Sequence, residues 1–326
     1  DDVTGLMWQK SRGVKVSWDD AVINAGTVTF GGHNDWRIPT IKELFSLIDF
    51  RGREPEPSVN AETLFAVPFI DESTFDFEYG ADPDRTIDAQ EFTATASQNP
   101  YLMGTTGGDF FFGVNFADGR IKSYPRYPPG SAAPFFVRYV RGGNNYGVNS
   151  YVDNLDDTVT DEATCLMWDK EDSQFGMDWG SALAWVETKN AMNHRGYDDW
   201  RLPSIKELQT IVDYNRSPDL TNEPAIDTSF FDTTTILNEA GQVDYPYFWS
   251  STTHETVTAT GASAAYIAFG RAMGLNTNTG VWIDVHGAGA QRSDPKSGDP
   301  LDYPNGFGPQ NDAIRINNYV RLVRYA

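Results

Sequence analysis

Two eleven-residue stretches of the chain are nearly identical: NDWRIPTIKEL from Asn34 to Leu44, and DDWRLPSIKEL from Asp198 to Leu208. The likeness extends outward in the same order. TGLMWQK (Thr4 to Lys10) matches TCLMWDK (Thr164 to Lys170), and SWDDAV from Ser17 matches DWGSAL from Asp178. SLIDF (Ser46 to Phe50) answers TIVDY (Thr210 to Tyr214), and VRYVRG (Val137 to Gly142) matches VRLVRY (Val320 to Tyr325). The offset grows from 160 between Trp8 and Trp168 to 183 between Val137 and Val320, so insertions gather late in the second copy. Copies of about 150 residues are too long for solenoid units and read as tandem domains. The Gly- and Asn-rich stretch RGGNNYGVNSY (Arg141 to Tyr151) marks the seam, giving domains over 1–147 and 148–326.

The repeated stretch says where a helix starts. Thr40-Ile41-Lys42-Glu43 and Ser204-Ile205-Lys206-Glu207 have the form of a capping box. Apolar residues follow at helical spacing: Ile41, Leu44, Phe45 and Ile48, then Ile205, Leu208, Ile211 and Val212. Capping therefore accounts for Glu43 and Glu207 without catalysis. Trp36-Arg37 and Trp200-Arg201 read as core tryptophans beside arginines paired to an acid such as Asp35 or Asp199. A shorter helix precedes each, with Trp18, Ala21, Val22 and Ala25 on one face after Ser17, and Trp179, Ala182, Leu183 and Val186 after Asp178. The remainder reads as strands and long loops, with FFFGVNF (Phe110 to Phe116) and AAYIAFG (Ala264 to Gly270) as buried strands. The fold class is α+β, each copy having two short helices and a small, mostly antiparallel sheet.

Charge and chemistry exclude several functions. With 46 acidic against 25 basic residues, the net charge of −21 disfavours nucleic acid and anionic membranes as partners. No apolar run reaches ~18–20 residues, so membrane insertion is not expected. The single cysteine, Cys165, forms no internal disulfide and is expected to lie buried and inert in an apolar strand. No zinc-protease, phosphate-loop or dinucleotide-binding pattern occurs. The histidines His33, His194, His254 and His286 are scattered, and His33 and His194, just before the two helix starts, read as loop residues rather than metal ligands. The expectation is no enzyme.

The series TGLMW, DWRLP, IKEL and the terminal VRxVR resembles the C-terminal domain family of the Legionella collagen-like adhesin. DNLDDTVTDEATCLMW (Asp153 to Trp168) is similar to that family's opening, and its absence before Asp1 suggests a first copy cut short at its start. The resemblance covers nearly the whole chain. It implies two tandem C-type-lectin-like domains, a long loop region bearing any ligand site, and an extracellular or cell-surface protein of bacteria that adheres to a glycan or surface-protein ligand. The formylglycine-generating oxidases share that fold, but their copper chemistry needs two cysteines. Relatives carry a cysteine inside VRxVR where Tyr139 and Leu322 stand here, so a family disulfide is missing. A sulfated ligand does not carry over, because it needs clustered Lys and Arg.

Function tends to reside in long loops held by a rigid scaffold. The copies differ most over 117–134 and 284–312. Aromatic and polar residues there are the candidate ligand-binding groups: Tyr124, Arg126 and Tyr127, then His286, Gln291, Arg292, Tyr303 and Phe307. No cofactor is required, but calcium is a candidate. Its expected ligands are Asp294, Asp299, Asp302 and Asn305, with Asp82, Asp84 and Asp88, or Asp153, Asp156 and Asp157, as further acidic loops. The reading is a tandem binding module, alone or joined to other domains of a larger chain. The alternative is a spacer pair in a larger surface protein.

Overall fold

A computed structural model describes residues 1–55, 65–80, 89–97, 109–126 and 135–326. These form two compact units: residues up to Gly147 together with His254–Thr260, and Val148–Thr253 together with Gly261–Ala326. The architecture is α+β in both.

In the first unit β1 (Met7–Trp8) leads to helices α1 (Trp18–Ala25) and α2 (Ile41–Ser46). An antiparallel meander follows, β2 (Glu91–Ala96), β3 (Phe110–Asn115) and β4 (Arg120–Pro125), before β5 (Val140–Arg141) pairs back to β1. Every residue of β3 is buried, matching its continuous apolar run. Ser17 caps α1, and Thr40 with Glu43 completes the capping box of α2. Ile41, Leu44, Phe45 and Ile48 are all buried, as their spacing requires.

The second unit repeats this plan. Strands β6 (Tyr151–Asp153), β7 (Thr158–Asp161) and β8 (Leu166–Asp172) form an antiparallel sheet closed by β16 (Arg321–Tyr325). Helices α3 (Trp179–Ala191) and α4 (Ile205–Thr210) follow β8, capped by Asp178 and by the Ser204–Glu207 box. Between α4 and β16 lie β9 (Ile236–Leu237), β10 (Val243–Asp244), β11 (Tyr247–His254), β12 (Ser263–Ala268), β13 (Met273–Asn276), β14 (Val281–Asp284) and β15 (Gln291–Pro295). β12 lies between β11 and β15, while β9–β10 and β13–β14 form small ribbons.

The repeat extends to individual contacts. Trp8 faces Val140 across β1–β5, as Trp168 faces Val323 across β8–β16. The Trp18 indole donates to Thr93 O and the Trp179 indole to Ser250 O. Trp36 and Trp200 are buried in their respective cores, with the expected packing role.

Three expectations need correction. Arg37 and Arg201 pair with Glu43 and Glu207 through two nitrogens each, while Asp35 and Asp199 hold Arg141 and Arg324. The capping glutamate has two oxygens and serves both roles. Val22 and Leu183 are partly exposed, because α1 and α3 touch their cores through Ala21, Ala182 and Val186, about a quarter-turn away. Cys165 is exposed rather than buried: it precedes β8 in a turn at φ 56°, the place of Gly5 at φ 67° in the first repeat. His194 lies in the short turn at His194–Gly196, where its Nε2 bonds Asp169 at 2.5 Å.

Candidate functional site

The second unit carries a cleft of about 440 Å³ between the β9–β10 ribbon, the turn at Pro300–Pro304 and the segment leading into β16. Trp282, Tyr303 and Tyr319 contribute half-buried rings, and Pro246, Pro300 and Pro304 add rigid apolar surface. Leu237 and Leu301 lie at its lip with exposures of 71% and 82%. Among the described residues, the Trp282 indole N–H and the hydroxyls of Tyr303 and Tyr319 have no partner in the protein. The floor is ionic but balanced. Arg315 donates from Nε and Nη2 to Glu239 at 2.8 and 3.0 Å, and its guanidinium lies 3.6 Å from the centre of the Tyr247 ring. Arg315 Nη1 has no acceptor. Burial raises the Glu239 carboxyl, but Arg315 outweighs it and holds the group below its ordinary value.

One wall of the cleft is clamped from below. Asp294 in β15 is fully buried, and its Oδ2 accepts from the backbone N–H of Arg315 and Ile316 and from Asn318 Nδ2 at 3.0–3.1 Å. Ile316 adopts φ 58°, unfavourable for a β-branched side chain. Such conformations persist where the surroundings over-determine them, and they gather at ligand sites. Burial pushes the Asp294 carboxyl up to about 6 against those same donors, which lower it.

The structure sorts the expected site residues. Tyr303 lines the cleft, and Phe307 is 66% exposed beside it, edge-on to Tyr303 with ring centres 6.3 Å apart. His286, Gln291 and Arg292 are buried instead. His286 Nε2 donates to Asp312 Oδ1 and Arg292 Nε to Asp312 Oδ2, both at 2.8 Å. Burial alone would raise the Asp312 carboxyl, but Arg292 and then His286 hold it well below the usual range. His286 and Arg292 turn inward because Asp312 pairs with both there, and Gln291 donates to the Arg292 carbonyl. In the first unit, Arg126 stacks 4.1 Å from the Trp18 ring centre and pairs with Asp19, and Tyr124 packs on Phe111 and Phe135. Tyr127 lies outside the described residues, as do Asp82, Asp84 and Asp88.

Among the described residues, no three His, Cys, Asp or Glu side chains converge to hold a metal ion. Asp294 is committed to its clamp, whereas Asp299, Asp302 and Asn305 are exposed. Asp153 pairs with Lys170 and Asp157 with Arg195, and the Asp156 carboxylate accepts from Thr158. Among the described residues, no helix is long and apolar enough to cross a membrane. Sequence reasoning missed Trp282, Tyr319, Glu239 and Arg315. The available signal was the aromatic in VWID, an exposed-strand pattern that the loop comparison passed over.

The sequence model of the family described as the Lcl C-terminal domain matches the chain twice, over residues 1–141 and 157–283. No curated protein and no solved structure matches it.

Proposed function

The chain belongs to the Lcl C-terminal domain family, and from that premise we propose that it is a non-catalytic recognition module of a bacterial surface or secreted protein. It captures a glycan or protein ligand in the cleft of its second unit. The observation that carries this reading is the cleft itself: rings and unpartnered donors around a fixed ionic floor. Concave, mostly apolar surface with a few placed polar groups is the usual form of a ligand site. The family's name links it to adhesion. The pairing of each repeat's last strand with the strand that precedes its helices, β5 with β1 and β16 with β8, with long irregular segments between, supports a C-type-lectin-like relationship. Neither calcium nor another cofactor is needed by the groups lining the cleft.

The test is to probe the purified chain against immobilised glycans, neutral and sulfated, and against extracellular-matrix proteins, with calcium and with a chelator. The expected result is capture of at least one ligand, unchanged by the chelator and lost in Trp282→Ala. Silence across the panel would favour a spacer pair.

A further inference from the structure

The cleft's chemistry discriminates between ligand classes, an inference that rests on the recognition reading above. We propose that the cleft takes an extended, proline-rich peptide segment with basic residues beside its prolines. Three observations converge. The lip presents Leu237 and Leu301, largely exposed, together with three prolines. Aliphatic surface of that kind suits pyrrolidine rings and leaves sugar hydroxyls unmatched. The half-buried rings bring free donors, the Trp282 indole N–H and the hydroxyls of Tyr303 and Tyr319. A polyproline II segment makes no internal hydrogen bonds, so its carbonyls face outward as acceptors, and aromatic-lined grooves with interspersed donors are what such segments dock into.

Charge supplies the third. Glu239 already neutralises Arg315, the cation of the floor. Asp299 and Asp302 flank Pro300 and Leu301 in the sequence and are exposed, and the Asp299 carboxylate also accepts from the Leu301 backbone N–H at 2.9 Å. Carboxylates thus stand next in sequence to the lining residues Pro300 and Leu301, within a chain of net charge −21. A cationic flank complements it and would speed encounter, while an anionic ligand would be repelled.

Calorimetric titration of the whole chain tests the proposal. The probe is a synthetic peptide of proline runs interrupted by two arginines. Its comparators are a Gly/Ser peptide keeping the arginines, the proline peptide without arginine, and methyl glycosides of neutral hexoses. The expected result is binding of the proline–arginine peptide, at least about tenfold weaker with Gly/Ser and weakened by salt. Tyr303→Ala weakens it about tenfold, or ~1.4 kcal/mol, as truncation of an aromatic anchor does. Tyr303→Phe, which keeps the ring and the fold, costs less. Equal binding of the Gly/Ser peptide would overturn the proposal, since charge alone would then suffice. So would failure of the proline–arginine peptide to bind. If glycosides bind instead and Tyr303→Ala abolishes that binding, the peptide assignment falls while the recognition reading survives. Both fail if ligands captured on the panel are indifferent to the cleft variants.

Discussion

Arg138 and Arg321 hold the same place in the two repeats, both fully buried, and among the described residues only Arg138 meets a carboxylate. Its Nε and Nη2 donate to Glu91 at 3.1 and 2.9 Å. In the second repeat Phe248 occupies the position of Glu91, with its ring centre 5.6 Å from the Arg321 guanidinium carbon. Like Arg138, Arg321 donates to main-chain carbonyls, here those of Asp169, Lys170 and Asp232. Removing the Glu91 carboxylate strands a buried cation, so Glu91→Ala should destabilise the first unit by ~3–5 kcal/mol in urea unfolding. A loss below about 1 kcal/mol would mean the carbonyls of Gln9, Lys10 and Asp76 suffice to hold Arg138.

Glu207 bears two loads. It binds Arg201 at 2.6 and 2.7 Å and accepts from the Ser204 backbone N–H at 2.8 Å. Glu207→Ala should cost ~1–3 kcal/mol, combining a lost cap with a lost, partly exposed ion pair, and Glu207→Gln about 1 kcal/mol. Burial raises this carboxyl, but Arg201 and Ser204 bring it below 4.5. The charged form therefore favours the fold above that value, and the advantage is lost as pH falls. Melting temperatures of wild type and Glu207→Gln should converge in acid; a gap independent of pH would assign the loss to packing.

Asp294 has the opposite sign. Its carboxyl, at about 6 in the fold against an ordinary 3.8, favours the folded state below 3.8, and that advantage disappears as pH rises to about 6. The penalty above that is on the order of 3 kcal/mol. Asp294→Asn keeps an acceptor for the Ile316 turn and does not ionise. Its stability relative to wild type should rise between pH 4 and pH 6 and then level. A flat difference would contradict the buried, desolvated placement.

Cys165 should react fully with a maleimide in the native protein, being exposed. Its left-handed backbone costs a non-glycine residue ~1–2 kcal/mol, part of which glycine returns through a freer unfolded chain. Cys165→Gly should leave stability equal or raise it by up to ~1 kcal/mol. A loss greater than ~1 kcal/mol in thermal melts would show that the thiol packs.

Local signals were legible in the sequence where one stretch of chain decides the outcome. The capping boxes and the helix faces of Ile41 and Ile205 needed no long-range partner. Arg37 was assigned the wrong acid because Asp35 is adjacent, whereas Arg141, from the far end of the repeat, takes Asp35. Cys165 was misread from its apolar neighbours, although its match with Gly5 already pointed to a turn. His286, Gln291, Arg292 and Asp294 look like a solvated loop in sequence, but Asp312 and the Ile316 turn draw them inside. The cleft draws on residues from Ile236 to Tyr319, and no local pattern joins them. Tyr303 was found because aromatic loop residues stand out; Trp282 was missed because it sits in a short strand.

The central claim is that recognition belongs to the cleft of the second unit. The most direct measurement compares capture of the same panel ligand by wild type, by Trp282→Ala with Tyr303→Ala, and by Tyr124→Ala with Arg126→Ala in the first unit, after circular dichroism confirms that all are folded. The account predicts at least a tenfold loss for the cleft pair and little change for the first-unit pair. Undiminished capture by the cleft pair, with loss in the first-unit pair, would contradict it and move the site to the first repeat.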